Sequence, residues 1–299
     1  MENSQRATLI RRPVGMLLTG VSLISFSAIF VQLAATASVT IGFYRNFFGL
    51  LFLVPFILIR RKPWFTDSLS LLLPLVAGLV FFLDLTVWHQ SIRYVGPGIA
   101  TLLGNFQVFF VALFGILFLR ERLSWQFACS VPIALAGLAL IVGMPSLDGG
   151  SDYGKGILLG LLTAVFYSIF LLIVRGTQSR PKALSPEVNL AYLSFSAALF
   201  FFLAIGFSAA PLAIPSATAL WSLLGYGLVT HFIGWVVISG ALPRIRASVA
   251  GLVLLLQPIL SFVWEVIFFQ KRFSPAQVGG ALIALFAIYL GMKGQQTSS

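Results

Sequence analysis

Charged side chains are scarce in this chain. Lys, Arg, Asp and Glu make up 9% of its 299 residues, against about 25% in a soluble domain. The longest polar gaps are only loop-sized, so no separate water-soluble domain fits. There is one cysteine, Cys129, which can form no internal disulfide and carries no message about redox compartment. There are two histidines and no cysteine cluster, no His-Glu-x-x-His pair and no phosphate-cradling glycine loop. Catalysis, a bound metal and a cofactor are therefore not expected. Without a nucleotide-hydrolysing module, any driving force has to be a gradient.

What the chain has is hydrocarbon: 59% of its residues are hydrophobic. Apolar runs of about 17 to 25 residues recur along its length, each able to cross roughly 30 Å of lipid. They lack the alternating pattern of a barrel wall. An all-α integral membrane protein of ten spans is expected, at about 14–34, 39–60, 69–90, 97–119, 125–143, 155–175, 188–207, 217–240, 246–269 and 275–292. Arg61-Lys62-Pro63, Gly96-Pro97-Gly98, Asp148-Gly149-Gly150, Arg180-Pro181 and Ala210-Pro211 punctuate the breaks. The first run is too long for a signal-peptide core and is read as a span.

The net charge of +11 would suggest nucleic acid in a soluble protein. Here most of it falls in alternate loops: Arg6, Arg11, Arg12, Arg60, Arg61, Lys62, Arg120, Arg122, Arg175, Arg180, Lys182, Arg244, Arg246 and Lys293 lie on one side. Arg93, Lys155, Lys271 and Arg272 lie on the other. By the positive-inside rule both termini are cytoplasmic. The predicted location is the cytoplasmic (inner) membrane, multi-pass; the lipid bilayer is the partner and nucleic acid is not.

Residues 93–143 are echoed 150 positions later by 243–293, with Gln107 matching Gln257, Arg122 matching Arg272 and Ser124 matching Ser274. Gly15 through Ser27 lines up with Gly156 through Ser168 at a different offset. A duplication of five spans is inferred, 1–147 and 148–299, together one transmembrane domain. Five is odd, so the second copy enters the membrane inverted, as in alternating-access carriers.

The pattern Tyr94-Val95-Gly96-Pro97-Gly98-Ile99-Ala100, then a long helix, then Leu119-Arg120-Glu121-Arg122-Leu123-Ser124 and a helix ending Ala136-Gly137-Leu138-Ala139-Leu140-Ile141-Val142-Gly143 resembles the repeat of the drug/metabolite transporter superfamily, EamA-type. The likeness covers nearly the whole chain, including Tyr44-Arg45-Asn46-Phe47, where such proteins often carry an arginine. It departs at Gln270-Lys271, where the family usually has an acid. In size and layout the chain is similar to the YddG-type exporters of aromatic amino acids. The resemblance implies a secondary exporter of small amphipathic metabolites, with aromatic or other neutral amino acids heading the list. Carriers of phosphorylated or nucleotide-linked sugars are the rival; a channel or structural bundle is another.

Polar groups within hydrocarbon are costly and usually face the bundle interior. Gln107 and Gln257 fall near the midplane, where inverted-repeat carriers hold substrate; helix-to-helix bonding is the alternative for both. Pro258 follows Gln257, whereas Val108 follows Gln107, so unwinding is expected in the ninth span and not the fourth. His231 and Trp235 share a face, as do Phe81, Asp84 and Trp88, and as do Gln257 and Trp264. These faces, with Tyr167 and a polar seam of Ser22, Ser25 and Gln32, are expected to wall an aromatic, weakly polar cavity. Arg45 and Asp84 lie at matching depth, roughly 9 Å below the outer surface at 1.5 Å per residue. They are expected to pair, either as a structural lock between two helices or as a pair that opens during the cycle or greets a zwitterionic substrate, with Glu265 a third member. Asp84 and Glu265 are the few buried acids open to proton coupling. Gly104, Gly137, Gly279 and Gly280 read as close helix contacts, and His89 as solvated. A monomer is expected.

Overall fold

The computed structural model describes residues 2–142, 152–270 and 274–297, with side chains given except at 2–11, 96–99, 265 and 296–297. Among the described residues, ten helical segments are long and apolar enough to cross a membrane. We number them α1 (Arg12–Ala34), α2 (Ser38–Ile59), α3 (Ser68–Val95), α4 (Ala100–Leu119), α5 (Trp125–Val142), α6 (Tyr153–Gln178), α7 (Pro186–Ser208), α8 (Ala217–Arg244), α9 (Ala247–Phe269) and α10 (Pro275–Gln295). No strand occurs among the described residues. The expected break at Gly96-Pro97-Gly98 is absent from the backbone, which stays helical from Ser68 to Gly104. In lipid a helix continues through a proline and its flanking glycines where neighbouring groups satisfy the freed carbonyl. The Asp148-Gly149-Gly150 turn lies outside the described residues.

The chain forms two compact units, and they cut across the sequence halves. One comprises residues 1–82 and 170–245, the other 83–169 and 246–299. The chain passes from one unit to the other within α3, within α6 and after Ile245. Inside the first unit α2 packs on α7, and α1 on α8. Inside the second α5 packs on α10, and α4 on α9. Three of these pairs, α2 with α7, α4 with α9 and α5 with α10, are equivalents in the proposed duplication.

Equivalent positions also share backbone geometry. Helix α4 stops at Arg120 (φ 53°, ψ 33°) and α9 at Gln270 (φ 52°, ψ 30°), both left-handed. Each next helix is capped by the matching serine: Ser124 Oγ accepts from Phe127 N at 3.1 Å, and Ser274 Oγ from Gln277 N at 3.2 Å. These caps explain why serine stands at both positions. Gln277 returns a bond from its Oε1 to Ser274 N at 3.0 Å, completing a capping box.

Both α4 and α9 break in the middle, which corrects the expectation of one-sided unwinding. The helix ends at Gly104 and resumes at Gln107; its partner ends at Leu254 and resumes at Leu256. The causes differ. In α9, Pro258 has no N–H to give the Leu254 carbonyl. In α4 there is no proline at the break; Asn105 Nδ2 bonds the Thr101 carbonyl at 2.8 Å, sharing it with the Asn105 main-chain N–H at 3.1 Å.

Close crossings rest on glycine. A Cβ on Gly137 would stand 2.6 Å from the Gly280 carbonyl oxygen, and one on Gly280 would stand 2.6 Å from that of Gly137. Gly279 was expected to do the same, but nothing lies within 4 Å of its would-be Cβ. It is one residue, about 100°, round from the contact face. At the loops of the first unit, Asp67 caps α3 by accepting from Ser70 N at 2.7 Å and pairs with Arg180 Nη2 at 2.6 Å. The Ser70 bonds, then Arg180, hold its carboxyl down at about 2.

Candidate functional site

The first unit places four of the sequence-selected residues: Ser25, Arg45, His231 and Trp235. Arg45 is 6% exposed and His231 1%. The Arg45 guanidinium donates from Nε to His231 Nδ1 at 3.2 Å and from Nη1 to the Tyr226 hydroxyl at 3.1 Å. It also lies 4.9 Å from the ring centres of both Phe81 and Tyr226. Its hydrogen-bond partners within this unit are thus neutral groups.

A π-helix makes this arrangement possible. Tyr226–Gly234 within α8 follows π-helical bonding. Residues five apart in an α-helix diverge by about 140°, whereas the wider turn of i→i+5 bonding brings them much closer to one face. Tyr226 and His231 are five apart and both reach Arg45. On the other side of the ring, His231 Nε2 meets Ser194 Oγ at 2.7 Å. Glycine admits the imidazole: a Cβ on Gly49 of α2 would collide with His231 Cδ2. Trp235 is 3% exposed, sets its ring edge-on to Phe170 at 5.0 Å, and its Nε1 is buried without a hydrogen-bond partner. Phe170 in turn lies 5.0 Å from Phe81. Ser25 is buried at a break in α1, where its Oγ donates to the Ser22 carbonyl at 2.6 Å.

The second unit holds Asp84, Trp88, Gln107, Tyr167, Gln257, Trp264 and Glu265. Gln107 is 1% exposed; its Nε2 donates to the Gly251 carbonyl of α9 at 3.2 Å, and its Oε1 is buried without a partner. Ser168 Oγ donates to the Gln107 carbonyl at 3.3 Å, just beyond the break in α4. Gln257 is half-buried beside the break in α9, as are Trp88, Tyr167 and Trp264 in their own helices. Asp84 is 5% exposed. Trp88 stacks obliquely on His89 at 5.1 Å. His89 is not the solvated group expected: its Nδ1 is buried without a hydrogen-bond partner. The side chain of Glu265 lies outside the described residues. Among those described, no group of three or more His, Cys, Asp or Glu could hold a metal ion.

Tyr226 and Ser194 were missed because their signal depends on a π-helix and on a packing partner, neither visible as a period. Glu121 was noticed only as a family mark. Its carboxylate accepts from Ala247 N at 2.6 Å, Ser248 N at 3.2 Å and Ser248 Oγ at 2.7 Å. It closes the first turn of α9 from the end of α4. Gln295 adds to that corner by accepting from Ser124 N at 3.1 Å and from Arg246 Nη1 at 3.3 Å.

A model described as the EamA-like transporter family matches residues 12–143 and again 154–292. The pseudopaline exporter CntI of Pseudomonas aeruginosa (strain UCBPP-PA14) is 25% identical over 281 residues, covering 92% of this chain and 95% of that one. An uncharacterized transporter of Archaeoglobus fulgidus is 26% identical over 90% of this chain and 92% of its own. A putative nucleotide-sugar transporter of Saccharomyces cerevisiae, YMD8, is 33% identical over 29% of this chain and 20% of its own. A solved crystal structure of a protein superposes with a TM-score of 0.82 at 16% identity, over 95% of this chain and 99% of that one. That likeness shows the fold.

Proposed function

The chain belongs to the EamA-like transporter family, and from that premise we propose a secondary carrier that exports small amphipathic metabolites, with aromatic and other neutral amino acids as first candidates. The protein is a multi-pass membrane transporter of a small-molecule substrate. The finer reading is alternating access by two inverted five-helix repeats in the cytoplasmic membrane, both termini inside. One observation supports it: the two halves share backbone geometry at several equivalent positions. Arg120 and Gln270 share a left-handed stop, Ser124 and Ser274 share a cap, and the breaks before Gln107 and Gln257 coincide. Helices broken at equivalent points are where inverted-repeat carriers meet their substrates.

The polar groups assigned to substrate are the Arg45–His231 cluster of the first unit and Gln107 and Gln257 of the second. The rings of Phe81, Phe170 and Trp235 suit a ring-bearing ligand. Outward transport is favoured by the exporter among the relatives. The sugar-nucleotide rival draws on a relative sharing 29% of the chain. It would need several buried cations, and among the described residues Arg45 is the one buried Lys or Arg.

Counterflow in proteoliposomes tests the carrier. Unlabelled phenylalanine trapped inside should accelerate entry of labelled phenylalanine, and flux should saturate. Linear flux without trans-stimulation would identify a channel, and no flux with any amino acid of a panel would remove the substrate class.

A further inference from the structure

We propose that Arg45 is the receptor for a carboxylate on the transported molecule, its guanidinium aimed by Tyr226 and His231; the assignment rests on the carrier reading above and narrows it. A guanidinium stays protonated, and a buried charge without an opposite charge is expensive. Within its unit Arg45 has no carboxylate partner among the described residues; its hydrogen bonds go to an imidazole and a phenol. The two rings beside it, Phe81 and Tyr226, offset only part of that cost.

Hydrogen-bond direction fixes which groups of the cluster can still donate. Arg45 Nε–H can only donate, so His231 Nδ1 is the acceptor and the ring proton sits on Nε2. That proton goes to Ser194 Oγ at 2.7 Å, and the Ser194 hydroxyl passes its own to the Leu190 carbonyl at 2.6 Å. The chain from Arg45 to the α7 backbone is fully committed in one direction, and His231 has no lone pair left to offer. A guanidinium has five N–H groups; two are used here. One N–H on Nη1 and both on Nη2 remain, the end-on fork that matches a carboxylate with two parallel bonds. Phe81 links this fork through Phe170 to Trp235, whose indole N–H is also unpartnered. The ligand that fits is a carboxylate attached to a flat apolar body. An amine without a carboxylate does not.

Binding to the full-length protein in detergent separates these cases without requiring transport. The probes are 3-phenylpropionate, which keeps ring and carboxylate, and phenethylamine, which keeps ring and amine; the readout is intrinsic tryptophan fluorescence. The expected result is saturable binding of phenylpropionate, with phenethylamine at least tenfold weaker. Arg45→Gln should abolish the preference. Arg45→Lys, which keeps the charge and loses the fork, should weaken phenylpropionate at least tenfold. Tyr226→Phe should weaken it a few-fold and keep the preference, so the test survives an Arg45→Gln protein that does not fold. Equal binding of the two probes, no binding of phenylpropionate, or an undiminished preference in Arg45→Lys would overturn the assignment. A protein that binds phenylpropionate as described but shows no counterflow would instead sink the carrier reading alone.

Discussion

One methyl group added to each of two adjacent glycines of α10 should give opposite results. In Gly280→Ala the new Cβ would stand 2.6 Å from the Gly137 carbonyl oxygen, 2.7 Å from Leu140 Cβ and 3.1 Å from Ile141 N. Two of those three atoms are backbone, so no side chain can swing aside. A carbon and a carbonyl oxygen need about 3.3 Å, and α5 and α10 must part by most of the difference. Overpacking of this kind costs about 1–3 kcal/mol. In Gly279→Ala the methyl meets nothing within 4 Å, and helix propensity favours alanine by up to about 1 kcal/mol. That gain shrinks where the unfolded state keeps its helices. The neighbours should therefore differ by about 1–4 kcal/mol, or roughly 2–16 °C in apparent midpoint. The assay is fluorescence-detected thermal unfolding of the full chain in one detergent at one scan rate, because unfolding of such proteins is commonly irreversible. A Gly280→Ala protein as stable as the parent, or a Gly279→Ala protein that falls equally far, would refute the crossing at Gly137 and Gly280.

Glu121→Ala removes the acceptor of three bonds at the start of α9 and should cost about 2 kcal/mol; Glu121→Gln, which keeps one carbonyl oxygen there, should cost about half, and equal losses would deny the cap. Ser124→Ala and Ser274→Ala should each cost about 1 kcal/mol and add in the double variant, read from the same melts. Asp67 has its carboxyl lowered to about 2, below the ordinary value of about 3.9. Its contribution is fully present above pH 4 and lost as pH falls towards 2; Asp67→Asn should flatten the acid limb of the midpoint-versus-pH curve, and an unchanged limb would exclude the group. Gln257→Leu should abolish labelled phenylalanine counterflow in folded protein, and unchanged saturation would remove Gln257 from the site.

Helix number and type were legible in the sequence because lipid imposes length and leaves the backbone no alternative. The matched positions of the proposed duplication agree where residues serve the backbone: Ser124 and Ser274 cap, and residues 120 and 270 turn the chain. Helix breaks were less legible. A proline stands beside the break in α9, whereas the break in α4 falls at Asn105-Phe106 with no proline to mark it. Arg45 was recognised as a residue needing a partner, but the partner was sought at matching depth and opposite charge. The observed answer, a phenol and an imidazole aligned by a π-helix, depends on a change of helical period that composition does not announce. Gly279 and Gly280 look alike in sequence, and only the rotation of α10 separates them.

The pairing of α2 with α7, α4 with α9 and α5 with α10 has a consequence for biogenesis. A ribosome delivers the first five helices to the bilayer before their packing partners have been synthesised, so faces such as the Gly137 surface of α5 wait against lipid or an insertion chaperone. Neither half made alone would have its native neighbours, whereas two separately expressed halves could find each other within the same membrane.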